Sequence, residues 1–164
     1  MLKFLNSIKD YIIIILVVVL FRTFIATPAV VNGDSMDNTL KDGHIVLINK
    51  LSYVFGDVKR FDIVVLNNES DSDKIIKRVI GLPNEKIEYK EGKLFINDSE
   101  IKLEIKFEDT EDFVFETKEN EYFVLGDNRD VSKDSRALGN FNKEDIVGKV
   151  GIRFYPVDKF GSVE

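Results

Sequence analysis

The sequence predicts a mainly β, antiparallel fold with a single apolar helix ahead of it. Three observations predict this. From Val30 onward, short apolar or alternating runs are separated by turn residues. Helical periodicity is scarce over the same stretch. Apolar residues in membrane-length density are confined to the N-terminal end. At 164 residues the chain can build one domain plus an appendage, but not two full cores.

The N-terminal element comes first. Tyr11 to Phe21 is uninterrupted apolar, and the apolar character resumes after Arg22 and Thr23 through Val31. A bilayer span needs about 20 residues, so the stretch counted through Val31 is long enough, with Arg22 able to reach the interface. Pro28 is expected to end the helix. Three readings compete: a cleavable leader cut near Ala26-Thr27-Pro28-Ala29, a buried core helix, and an anchor that stays. Pro28 beside the cut opposes the first. The β-branched richness and the N-terminal position oppose the second. The retained anchor is preferred, and Lys3 and Lys9 ahead of it place Met1 in the cytoplasm. The division expected is a cytoplasmic stretch at 1–10, a transmembrane anchor at 11–28 and an extracytoplasmic domain at 29–164.

The strands follow. His44 to Asn49, Phe61 to Leu66, Lys74 to Ile80, Lys86 to Lys90, Lys93 to Ile96, Glu121 to Leu125 and Val147 to Phe154 each carry strand patterning. Glu91-Gly92 reads as a hairpin turn and Asn97-Asp98 as a further turn. Asn142 to Asp145 reads as one helical turn capped by Asn142. Glu108 to Glu121 holds seven carboxylates and one lysine, and reads as a solvated loop or hairpin tip.

Composition excludes several chemistries. The net charge of −6 argues against nucleic acid, which wants a basic face. With no cysteine there is neither a disulfide framework nor a thiol nucleophile. The single histidine, His44, reads as a surface or strand-end residue, and too few nitrogen and sulfur ligands exist for a zinc site. No metal or cofactor is expected.

Two residues then stand out. Ser35 lies in Asn32-Gly33-Asp34-Ser35-Met36, soon after the apolar stretch. Lys77 lies in a strand pattern where Ile75, Lys77 and Val79 share a face. Burial there disfavours its charged form, and a neutral lysine can serve as a base for a serine nucleophile. Blander readings exist: Ser35 as a turn former and Lys77 as an edge-strand gatekeeper. A third segment, Gly126-Asp127-Asn128-Arg129-Asp130-Val131-Ser132-Lys133-Asp134-Ser135-Arg136, is dense in charge of both signs and follows a strand. It can supply the hydrogen bonds and ion pairs that fix such a lysine.

These segments, in order, resemble the type I signal peptidases, membrane-bound Ser-Lys proteases. Gly33 to Leu40 is similar to the nucleophile box, Arg60 to Val65 to the next strand box, Lys77 to Pro83 to the lysine box, and Gly126 to Arg136 to the last box. The resemblance implies a β-sheet catalytic domain of signal-peptidase type. It implies Ser35 as nucleophile and Lys77 as general base. It implies Ser132 orienting the lysine amine, Asp134 and Arg136 as a structural ion pair, and Asp127 and Arg78 as supports. Partners implied are preproteins with signal peptides, the lipid bilayer and the secretion translocon, with the domain on the outer face of the cell membrane. Small residues are expected at the first and third positions before the cut. The short length and single anchor resemble Gram-positive members. A protease with one dedicated substrate and an inactive membrane-anchored binding module are the alternatives. Four positions depart from the pattern: Asn38 replaces the usual proline, Val131 the usual asparagine, His44 the usual aspartate, and Gly33 offers no oxyanion-hole hydroxyl.

Overall fold

A computed structural model describes residues 9–19, 25–68, 73–102 and 110–163. Among them the fold is mainly β, in two sheets whose ladders are all antiparallel. The strands are β1 (Ala26–Val30), β2 (Ile45–Asn49), β3 (Ile63–Asn67), β4 (Lys74–Gly81), β5 (Lys86–Lys90), β6 (Lys93–Ile96), β7 (Ser99–Ile101), β8 (Phe113–Glu116), β9 (Glu121–Leu125), β10 (Phe141–Asn142), β11 (Ile146–Tyr155) and β12 (Gly161–Ser162). The larger sheet runs β1-β2-β11-β3-β4-β9-β10, with β12 on β11. The smaller runs β7-β6-β5-β8.

The uninterrupted apolar run Ile63 to Leu66 becomes a central strand buried on both faces. Ile63 and Val65 pack with Met36, Leu40, Val46 and Val150. Val64 and Leu66 pack with Val58, Val79, Tyr122 and Val124. A third cluster, built from Ile80, Ile87, Tyr89, Leu94 and Phe123, joins the smaller sheet to the end of β4. The Glu91-Gly92 turn has φ of 49° and 78°, the left-handed pair a tight hairpin requires.

Several expectations need correction. Ala26–Pro28, expected as the outer end of the anchor, belong to β1. Pro28 is tolerated because, among the described residues, β1 is an edge strand paired only with β2. Of the rest of the expected anchor, residues 11–19 are helical, residues 20–24 lie outside the described residues, and Ile25 is in a turn. Among the described residues no helix is long and apolar enough to cross a membrane. The acidic stretch is not only loop, because Phe113–Glu116 form β8 by pairing with β5. β3 begins at Ile63 instead of Phe61, because Phe61 sits at a φ of 70° and donates its N–H back to Val79 across the turn. His44 does stand at a strand start, but it is buried, and its Nδ1 accepts the Lys41 N–H at 3.1 Å. β7, β10, β12 and the short helix Ser135–Leu138 are further elements.

Candidate active site

Lys77 is delivered by β4, where it pairs directly with Val64 of β3. Its neighbours on that face, Ile75 and Val79, belong to the apolar cluster of Val64 and Leu66. The side chain is therefore buried, at 3% exposure. Burial lowers its pKa from 10.5 to about 8, against the opposing pull of Asp134 and Asp127. Lys77 Nζ stands 2.8 Å from Ser35 Oγ.

Ser35 begins a compact turn that spans residues 35–39. Met36 and Leu40 anchor the turn in the core, at 1% and 0% exposure. The Met36 carbonyl accepts N–H groups from Thr39 and Leu40. The Ser35 carbonyl accepts the Asn128 N–H at 3.1 Å. Among the described residues no protein acceptor takes the Ser35 N–H. Gly33 has a φ of 83°, donates its N–H to Asp42 Oδ1 at 2.8 Å, and has open space where a side chain would stand.

The loop after β9 closes the site. Leu125 pairs with Arg78, so extending the register by one residue sets Gly126 across from Lys77. A methyl group at Gly126 would run into Ser132 Oγ and come within 2.5 Å of the Ser35 carbonyl oxygen. Gly126 is held from both sides: its N–H donates to Asp134 Oδ2 at 3.0 Å, and its carbonyl accepts Arg129 Nε at 2.9 Å. Asp134 is fully buried and caps the helix Ser135–Leu138. Burial pushes its pKa up, but Arg136, the Gly126 N–H and Ser132 outweigh that and hold it below its usual value. Arg136 donates to Asp134 through Nε at 2.9 Å and Nη2 at 3.0 Å, and Nη2 also reaches the Arg129 carbonyl. Burial, with Arg136 nearby, lowers the Arg129 pKa to about 10.

A second ion pair, buried on both sides, lies behind the lysine. Arg78 grips Asp127 with two parallel bonds of 2.8 Å, and their side chains are 2% and 1% exposed. Arg78 Nη1 also reaches the Phe61 carbonyl at 3.0 Å.

The seven residues singled out from the sequence thus gather in one neighbourhood. Ser132 is the one whose contact differs from expectation. Its buried hydroxyl lies beside Asp134 and favours that carboxylate's ionised form. Among the described residues, however, it reaches no partner at hydrogen-bond distance, Lys77 included. Sequence reasoning missed Thr39, Asn128 and Arg129. Two of these make their contacts through backbone or across long sequence separations, which leaves no local pattern. Among the described residues no cluster of side chains suits a metal ion.

An antiparallel β domain that buries a lysine amine against a serine hydroxyl has the layout of a Ser-Lys hydrolase. The chain belongs to the signal peptidase family, peptidase S26, whose model matches residues 4–155. It is similar to signal peptidase I P of Bacillus subtilis subsp. natto, at 41% identity over 94% of this chain and 91% of that protein. It is similar to signal peptidase IB of Staphylococcus aureus, at 39% identity over 84% of this chain and 82% of that one. Its fold matches the crystal structure of a signal peptidase I from Enterococcus faecalis with a TM-score of 0.54 and 32% identity, covering 57% of this chain and 97% of the other.

Proposed function

We propose that this chain is a membrane-anchored type I signal peptidase of Gram-positive type, a serine endopeptidase that removes signal peptides from preproteins. The observation that carries the site assignment is the 2.8 Å contact between Ser35 Oγ and the buried Lys77 amine. Neutral Lys77 takes the Ser35 hydroxyl proton as the oxygen attacks the scissile carbonyl. The Ser35 N–H receives the developing oxyanion. The protonated lysine gives its proton to the leaving amine, which departs with the mature chain. Lys77 then takes a proton from water, whose oxygen attacks the acyl ester, and returns it to Ser35 Oγ.

An extended substrate fits beside Lys77. β9 pairs with residues 78–81 of β4 and Gly126 stands across from Lys77, so the outer edge of residues 74–76 lies beyond that ladder. A preprotein segment can add there as a strand, with small side chains at its first and third positions before the cut. Asp134, Arg136, Asp127 and Arg78 support the pair from behind, and Ser132 packs beside it.

The anchor reading rests on the apolar stretch and on exposed apolar surface. Tyr11 to Val19 are helical, apolar on every side, and 48–67% exposed. Exposed Tyr155 and Val30 flank half-buried Ile45 in a row across β11, β2 and β1. Nearby Phe154 and Phe160 are also exposed, with ring centroids 5.8 Å apart. Lipid would cover both features, with the N-terminus cytoplasmic and the domain outside.

The test is processing of a purified preprotein in detergent or vesicles. Ser35→Ala and Lys77→Ala are expected to lose cleavage while still unfolding in one cooperative melting transition. Substantial cleavage by either variant would overturn the assignment. A panel of preproteins then separates a general enzyme from one with a dedicated substrate.

A further inference from the structure

The turn that carries Ser35 is gripped at both ends by two adjacent residues of the loop after β9. At its start, the Ser35 carbonyl accepts the Asn128 N–H at 3.1 Å. At its end, the Thr39 hydroxyl donates to Asp127 Oδ2 at 2.6 Å. The same hydroxyl accepts from Arg78 Nη2 at 3.3 Å, so its donor and an acceptor site are both used. Arg78 is bonded to Lys77 in the chain, and its guanidinium is locked on Asp127. Thr39 therefore closes a short mechanical loop: serine turn, Thr39, Asp127, Arg78, Lys77 and back to Ser35 Oγ. The Thr39 carbonyl also accepts Arg153 Nη1 at 2.9 Å, which ties the turn to β11.

We propose that Thr39 is a positioning residue for the Ser35–Lys77 pair, its hydroxyl setting the serine turn against the lysine strand through the buried Arg78–Asp127 pair. This rests on Ser35 and Lys77 being the reacting groups. The hydroxyl is the part that matters. Met36 and Leu40, on either side of Asp37 to Thr39, are core residues that keep the turn folded without it. What the hydroxyl adds is register, and a displacement of about 1 Å at reacting atoms can cost about 10²-fold in rate. Freed from Asp127, the turn moves Ser35 away from Lys77 and lets water reach the amine.

The test compares Thr39→Val, which keeps the shape and removes the hydroxyl, with Thr39→Ser, which keeps the hydroxyl. Steady-state cleavage of a preprotein peptide is measured across pH with the full chain in detergent. Thr39→Val is expected to lose roughly tenfold or more in kcat. Its KM should stay within about twofold, because Thr39 has no place among the substrate contacts proposed above. The acid limb of its kcat profile should move to higher pH as the lysine regains solvent. Thr39→Ser is expected to restore both rate and limb. If Thr39→Val melts too low to assay, Thr39→Ala supplies the same two readouts. A folded hydroxyl-free variant with wild-type kcat and an unmoved limb overturns the proposal, as does a loss that serine does not restore. Ser35→Ala and Lys77→Ala run alongside: their inactivity shows that such a failure belongs to Thr39 alone, whereas their activity would overturn the Ser-Lys reading itself.

Discussion

At the scale of single residues, Lys77 joins two requirements that conflict. The proposed Ser-Lys mechanism asks for a neutral amine near neutral pH, and burial among Val64, Val79 and Ile75 favours it by lowering the pKa to about 8. Two pH effects follow. Below that value kcat/KM should rise about tenfold per pH unit, reach half its plateau near pH 8, and level off above. A kcat/KM profile with its acid limb well away from pH 8 would disprove this. The second effect is on stability. A lysine whose folded pKa lies below its unfolded value weakens the fold most where both states are protonated, below about pH 8. The penalty fades as pH rises towards 10.5, where the unfolded chain also loses its proton. Lys77→Met should therefore raise stability at pH 7 by up to about 3 kcal/mol while removing activity. Chemical denaturation at pH 7 and pH 10 checks both the sign and the fading. The serine and the lysine were legible in the sequence because each stands in a distinctive local pattern. The burial that tunes the lysine was legible only as an alternation of Ile75, Lys77 and Val79.

At the scale of elements, the loop after β9 and the serine turn set the geometry. Gly126→Ala should abolish processing and lower the melting temperature, because the new methyl runs into Ser132 and the Ser35 backbone carbonyl, which must shift to admit it. Wild-type turnover by a folded Gly126→Ala protein would show that the loop can yield there. The serine turn differs from its family pattern at Asn38, which adopts a φ of 83° and donates its N–H to Asp37 Oδ1 at 2.6 Å. Proline, usual at that position, holds φ near −65° and has no N–H. Asn38→Pro should thus lower the melting temperature and the rate, whereas Asn38→Gly should be tolerated, as parallel thermal melts and assays would reveal. The central strands were legible from apolar runs, since Ile63 to Leu66 has few other ways to be satisfied. β1 was not, because an edge strand can hold a proline that otherwise reads as a helix stop. β8 was not, because its phenylalanines are embedded in acidic residues and gain strand character only by pairing with β5.

At the scale of the whole molecule, the buried Arg78–Asp127 pair and the partly exposed Asp134–Arg136 pair hold the proposed catalytic elements together. Arg78–Asp127 links β4 to the loop after β9, and Asp134–Arg136 stiffens that loop. Removing one partner of the fully buried Arg78–Asp127 pair should cost roughly 3–5 kcal/mol, since the remaining charge stays buried without its partner. The same scale governs where the enzyme works. Alkaline carbonate extraction of membranes should leave the full chain in the pellet, and its release into the soluble fraction would sink the anchor reading. The amino-acid order alone pointed to the β class, the apolar N-terminal stretch, the acidic balance and the proposed reacting pair, since each depends on local composition, periodicity or a short motif. It could not reveal that Thr39 and Asp127, 88 positions apart, share a hydrogen bond, or that Ser132 packs on Gly126 without reaching the lysine. Those relations arise where strands distant in the chain pair in register and bring their ends together. Their distances follow from packing, which no single segment encodes.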